Sequence, residues 1–232
     1  MEKLVKGIHK FESSVFRQKH ELFKRLMGGQ HPQALFITCS DSRVVPDLIT
    51  QTDPGDLFVL RNAGNIVPTY NGSGSGAEAA AIEYAIRGLG IQDIIVCGHT
   101  GCGAMKALMN PAEIASMPRV QEWLRHSQSC KEVVESLYSH LDGESLWKVT
   151  VEENVLMQLE NLRTHPSVAV ALAQGNLKLH AWVYKMETGQ VFNYDPEHGQ
   201  FEPLTRQDGR AMVSVTSRRK PLHAHDHELV LQ

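Results

Sequence analysis

Long apolar runs are missing from this chain. Charged residues break up its hydrophobic stretches well short of the ~20 consecutive apolar residues that a membrane-spanning helix needs. The opening stretch, MEKLVKGIHKFESSVFRQKH, scatters charge among its apolar positions and so lacks the continuous core of a signal peptide. Both absences point to a cytoplasmic setting. Basic runs are missing too: 23 Lys and Arg against 26 Asp and Glu leave a net charge of -3, with no stripe that would track a nucleic acid. Cysteine is scarce, at 4 in 232 residues, which is too little for a disulfide scaffold and leaves thiols or metal ligands as the readings. What is present in ordinary measure is apolar content, 42%, enough for one core with trimmings.

Periodicity organises the chain into three parts. From Glu2 to Met27, apolar residues recur at helical spacing between charges, which predicts a helical arm over residues 1–27. Short apolar runs follow, each ending in a special residue: Ala34 to Thr38 before Cys39, Leu57 to Leu60 before Arg61, and Ile94 to Val96 before Cys97. Between the last two, Gly76 to Leu89 reads as a helix, and strand, helix, strand predicts a right-handed crossover in a parallel sheet. Helical character resumes from Met105 to Met109, Val120 to Leu141 and Val151 to Leu162. Leu179 to Lys185 and Gln190 to Tyr194 flank Glu187-Thr188-Gly189 as a hairpin, adding antiparallel edge strands. The expected fold is α/β, a mainly parallel central sheet flanked by helices, over residues 28–204. Residues 205–232 read as a polar tail.

Two of the strand ends carry metal-ligand residues. Cys39-Ser-Asp41-Ser-Arg43 follows the run ALFIT, and His99-Thr-Gly-Cys102-Gly follows IIVCG. Function in open α/β sheets gathers outside the carboxyl ends of strands, so neighbouring strands would bring Cys39, His99 and Cys102 together. Two thiolates and an imidazole suit tetrahedral zinc and leave a fourth position for water, substrate or another ligand. Asp41, two residues from a ligand, can accept a hydrogen bond from zinc-bound hydroxide and aim it at an electrophile. Arg43 would keep Asp41 ionised and fixed through a bidentate pair. If that pair broke, Asp41 could close the metal itself, an off state. Cys97, in a strand interior, and Cys130, on a helical stretch, read as packing residues.

CSDSR at Cys39 to Arg43 and HTGCG at His99 to Gly103 resemble the two signatures of the β-class carbonic anhydrases. RNAGNIVP at Arg61 to Pro68 and GAEAAAIEYAI at Gly76 to Ile86 are similar to further stretches of that family, and the likeness runs from about Gly28 to Leu204. The resemblance implies a zinc domain over 28–204, reversible hydration of CO2 to bicarbonate, and an obligate homodimer that pairs into larger even-numbered assemblies. It places the zinc ligands at Cys39, His99 and Cys102 and the catalytic dyad at Asp41 and Arg43. It places substrate contacts at Gln30, nine positions before Cys39; at Phe58, Ala63 and Tyr84, lining a small apolar CO2 pocket partly across the dimer interface; and at the Gly103 backbone N–H. On residue type alone, Gln30 is a loop residue, Phe58 and Tyr84 are core, and Gly103 is a helix-start glycine.

One departure stands out. A regulated branch of the family carries Trp three residues before the first cysteine, at an inhibitory bicarbonate site, and here that residue is Phe36. Phenylalanine has no N–H to donate, so the expectation is a water-bearing zinc with Asp41 held by Arg43. Relatives with the same ligands hydrolyse CS2 or COS, and a non-catalytic zinc scaffold closed by Asp41 is a further alternative. SHLDGESLWKVTVEENVLMQLENL and LHAWVYKMETGQVFNYD look closest to cyanobacterial carboxysomal members, whose C-terminal extensions are linked to scaffold proteins of the shell interior. The extension here is short, and its His223, His225 and His227 read as solvated residues rather than as a metal site.

Overall fold

In a computed structural model of the chain, residues 1–71 and 76–204 are described. The polar tail and its three histidines lie outside the described residues.

The centre of the molecule is a sheet whose strands are β1 (Ala34–Cys39), β2 (Leu57–Asn62), β3 (Asp93–His99), β4 (Lys178–Lys185), β5 (Gln190–Asp195) and β6 (Gln200–Pro203), ordered β2-β1-β3-β4-β5-β6. The first four in that order run parallel, and β5 and β6 add antiparallel pairs. The crossover expected from β2 to β3 exists, but β1 lies between those strands. β1 and β3 are therefore direct neighbours, in register with Thr38 opposite Cys97.

Every residue of β1 is buried, as a strand covered on both faces requires. Its side chains alternate. Leu35, Ile37 and Cys39 join the main core, whereas Ala34 and Phe36 join a smaller cluster with Ile95 and Cys97 on the opposite face. The Thr38 hydroxyl donates to the Cys97 carbonyl at 2.8 Å, tying β1 to β3 just below their ends.

Around the sheet lie α4 (Pro46–Thr50), α5 (Ala77–Glu83), α6 (Gly103–Met109), α7 (Pro118–Leu124), α8 (Gln128–Leu137), α9 (Gly143–Arg163) and α10 (Pro166–Ala173). The helix read as Gly76 to Leu89 changes winding, with a π-helical turn from Tyr84 to Gly88 after α5. Helical character from Val120 to Leu141 divides into α7 and α8 about a tight turn at Arg125–Ser127. α9 begins well before Val151 and packs against β3 and β4. Gly98 permits that approach: a Cβ there would stand 2.7 Å from Val155 Cγ2 and 3.0 Å from Val151 Cγ1. Among the described residues, no helix is long and apolar enough to cross a membrane.

The arm comprises α1 (Glu2–Lys10), α2 (Phe16–Gln18) and α3 (His20–Leu26), none with a buried residue. Phe23 meets Phe11 edge-on and stacks on Phe16, with centroids at 5.8 and 5.1 Å, yet Leu4 and Ile8 remain 62% and 56% exposed.

Candidate active site

Strand register makes the site. Because β1 and β3 end at nearly the same height, Cys39 and His99 meet outside their carboxyl ends, and the loop after His99 returns Cys102 at the start of α6. The three donor atoms all lie within 4.8 Å of one another, and all three residues are buried. The sulfurs of Cys39 and Cys102 are 4.0 Å apart. Two thiolates on a tetrahedral zinc, each about 2.3 Å from the metal, stand about 3.8 Å apart, so the pair fits that ion.

The imidazole fits as well. His99 Nδ1 is 2.9 Å from the Thr100 carbonyl, an acceptor that fixes the proton on Nδ1. Nε2 is left fully buried without a hydrogen-bond partner. A buried orphan nitrogen facing two sulfurs is what a metal ligand looks like when a carbonyl already holds the other nitrogen of its ring.

Electrostatics separate these cysteines from Cys97. Cys39 is pulled down to about 4, first by the Cys102 thiol donating to it and then by His99 and by backbone N–H groups of Gly64 and Asp41. Cys102 is pushed up because it supplies that hydrogen bond and because it is buried, so the pair shares one proton. Burial alone dominates at Cys97, whose thiol is pushed up to about 12. A thiolate-favouring environment thus exists at Cys39 and not at Cys97, one level below on the neighbouring strand.

Beside the cluster sits Asp41. Arg43 Nε donates to its Oδ1 at 2.9 Å and Arg43 Nη2 to its Oδ2 at 2.6 Å, with the Arg43 backbone N–H adding a bond to Oδ1 at 3.0 Å. Hydrogen bonding from the guanidinium holds the Asp41 carboxyl well below the usual carboxylate range. Oδ2 lies 3.9 Å from His99 Nε2, facing the cluster.

Other expected residues separate into two groups. Ala63 and Gly103 are at the ligand end of the sheet: the N–H of Gly64, next to Ala63, donates to Cys39 Sγ at 3.4 Å, and Gly103 opens α6 directly after Cys102. Phe58 and Tyr84 pack on each other, centroids 6.0 Å apart, but Phe58 is in register with Leu35, four residues below Cys39. Gln30 precedes β1 and is exposed at the sheet's other end. At ~3.3 Å per strand residue, the level of Phe58, on which Tyr84 packs, is more than ~10 Å below Cys39, and Gln30 lies before the start of β1. They are not brought to this site by the fold of one chain.

Several supporting residues escaped the sequence reading. Arg61 donates to the carbonyls of Cys39 and Asp41 at 3.1 and 2.7 Å, pinning the CSDSR loop. Asn154 Nδ2 donates to the Gly64 carbonyl at 3.0 Å, Gln158 accepts from the Val67 N–H at 2.8 Å, and Asn161 donates to the Val67 carbonyl at 2.8 Å, so amides of α9 hold the loop after β2. Trp123 Nε1 donates to the Ala63 carbonyl at 2.8 Å. Arg61 stands in RNAGNIVP, which drew attention as a motif; the α9 amides sit in a helical pattern and carried no signal.

A buried Cys-His-Cys cluster at the carboxyl ends of parallel strands, with an Arg-clamped Asp beside it, is a set of side chains that could hold a metal ion. The carbonic anhydrase family model matches residues 34–191, and the chain belongs to that family, in its β class. It is 50% identical over 196 residues to a carbonic anhydrase of Synechocystis, covering 84% of this chain and 71% of that protein. Its fold is similar to that of the β-carbonic anhydrase CcaA, with a TM-score of 0.86 and 48% identity over 89% of this chain and 93% of that one. A tetrameric β-carbonic anhydrase of Sordaria macrospora shares the fold at a TM-score of 0.74 and 26% identity, over 83% and 95% of the two chains. The chain is thus an enzyme, a carbonic anhydrase close to cyanobacterial ones.

Proposed function

We propose that Cys39, His99 and Cys102 hold zinc and that the enzyme hydrates CO2 reversibly to bicarbonate and a proton, with Asp41 and Arg43 as its catalytic dyad. The observation that carries the reading is the orphaned Nε2 of His99, facing two sulfurs and standing beside a carboxylate that Arg43 keeps ionised. Bound there, zinc supplies the Lewis acidity that lets water give up its proton near neutral pH, an effect known from carbonic anhydrases of the all-histidine type.

The protein's own groups do the rest. Asp41 can only accept hydrogen bonds while ionised, and its Oδ2 keeps a lone pair for the attacking water, orienting the oxygen toward carbon. Arg43 holds that carboxylate at two points, which removes its freedom to swing onto the metal. The Gly103 N–H, at the first turn of α6, serves as the donor to product bicarbonate. Gln30, Phe58 and Tyr84 serve the site of a second copy, Gln30 fixing one substrate oxygen and the two rings giving apolar CO2 a pocket. That role needs a homodimer or a larger even-numbered assembly, and the uncovered apolar face of the arm at Leu4 and Ile8 supports one. Phe36, buried against Trp182 with no N–H to offer, supports an open site with Asp41 on Arg43.

Likeness to cyanobacterial members supports a cytoplasmic setting within a carboxysome, joined to a scaffold protein; co-sedimentation with shell fractions tests it, and a wholly free enzyme refutes it. Arm 1–27, zinc domain 28–204 and tail 205–232 are the proposed divisions. The deciding experiment for the chemistry is CO2 hydration measured with zinc quantified in the same preparations. Activity rising in proportion to zinc is expected. Zinc-replete protein with no CO2 hydration at neutral and alkaline pH, or with CS2 or COS turnover instead, overturns the reading.

A further inference from the structure

Next to the ligand His99 is Thr100, buried at 4% exposure, whose three polar groups are all committed. Its carbonyl is the acceptor 2.9 Å from His99 Nδ1. Its backbone N–H donates to the Tyr184 carbonyl at 3.0 Å. Its hydroxyl donates to Glu187 Oε2 at 2.8 Å and accepts the Met186 N–H at 3.0 Å. One link to the end of β4 and two to the turn after it therefore hold a single residue, and that residue orients the imidazole. The following residue, Gly101, gives its carbonyl to Arg43 Nη2 at 3.3 Å, so the same loop also touches the dyad.

We propose that Thr100 and Glu187 are positioning residues: the hydroxyl–carboxylate bond anchors the His99–Cys102 loop to the β4–β5 turn and thereby fixes the direction in which His99 presents Nε2 to the metal. This rests on the zinc reading above. The backbone bond from Thr100 N–H to Tyr184 is a single pivot, and a loop on one pivot can roll about it. The hydroxyl adds a second and a third point away from that pivot. Removing them leaves the imidazole bonded to a carbonyl that can turn. Partners of metal-ligating histidines cost about 10–100-fold in metal affinity or activity when removed, and Glu187 acts one bond further out, on the exposed turn, so its effect falls at the low end.

The test uses the full-length zinc-loaded enzyme and reads the first-order loss of zinc to excess dipicolinate, with kcat, KM and the urea midpoint measured alongside. Zinc content of the wild-type protein comes first: a chain that neither carries nor takes up zinc overturns the zinc reading, and this inference with it. Given a loaded enzyme, Thr100→Val and Glu187→Ala should release zinc about tenfold and about threefold to tenfold faster. Thr100→Ser and Glu187→Gln, which keep the donor and an acceptor oxygen, should stay within about twofold of wild type. kcat should fall with zinc retention while KM changes little. Because one bond is being removed twice, Thr100→Val with Glu187→Ala should release zinc no faster than Thr100→Val alone. Wild-type release from both disrupting variants, failure of Glu187→Gln to restore it, or additive effects in the double variant would each overturn the proposal. If Thr100→Val does not fold, the Glu187 pair on the exposed turn decides alone.

Discussion

Glu152 is an acid the fold has placed at a disadvantage. It lies on α9 and is only 8% exposed, and burial pushes its carboxyl up to about 7, against partial relief from Lys185 and Lys148 and a further push from Glu153. The ordinary value is 4.5. Between those two values the folded protein keeps a proton that the unfolded chain has released, so stability falls as pH rises. The contribution is fully present below 4.5 and is gone above about 7. Integrated from pH 5 to pH 8, this one group lowers stability by about 2.5 kcal/mol. Glu152→Gln removes the titration. Its amide brings its own pH-independent cost of about 1–3 kcal/mol wherever a donor goes unmet, so the comparison at one pH is ambiguous. The difference between pH values is not. Urea unfolding followed by tryptophan fluorescence at pH 5, 6, 7 and 8, at fixed protein and zinc concentration, should show the wild type losing about 2.5 kcal/mol more than the variant across that range. Metal release by protonated ligands affects both proteins and cancels. Parallel stability curves for wild type and Glu152→Gln would refute the argument that burial at this position retains a proton.

Asp41→Asn should keep zinc and lose about 10²-fold or more in kcat, since the amide is a weaker acceptor and can turn its NH2 to the site; near-wild-type hydration in a stopped-flow assay would remove Asp41 from the mechanism. Cys39→Ser should purify with little zinc by elemental analysis, because a hydroxyl stays protonated where Cys39 is pulled down to about 4. Gly98→Ala forces a methyl into the 2.7 Å gap to Val155 and should cost about 1–3 kcal/mol in urea unfolding, with full stability arguing that α9 can withdraw.

How much of this was legible depends on what each residue's neighbours in sequence could say. The ligands were, because ALFIT and IIVCG announce buried strands and Cys39 and His99 stand at their ends, where parallel neighbours must converge. Asp41 and Arg43 were, because a two-residue separation lets a carboxylate and a guanidinium close on each other. β6 and the short helices α4 and α10 were not: four to eight residues give too little periodicity to register. Asn154, Gln158 and Asn161 look like the solvated stripe of a helix, yet they face a loop about ninety residues earlier in the chain, with sequence separations of 90, 91 and 94. Only the packing of α9 on β3, permitted by Gly98, turns that stripe inward.

The level pairing of Thr38 with Cys97 has a consequence for how such a chain can change over time. Residues between the two strands can be gained or lost in the connecting segments with little effect on where Cys39 and His99 end up. A single residue inserted within β1 or β3 would instead carry one ligand ~3.3 Å along the strand and turn its side chain to the opposite face of the sheet. Length variation is thus open to the loops between Asn62 and Asp93 and closed to the dozen or so residues of β1 and β3 that aim the ligands.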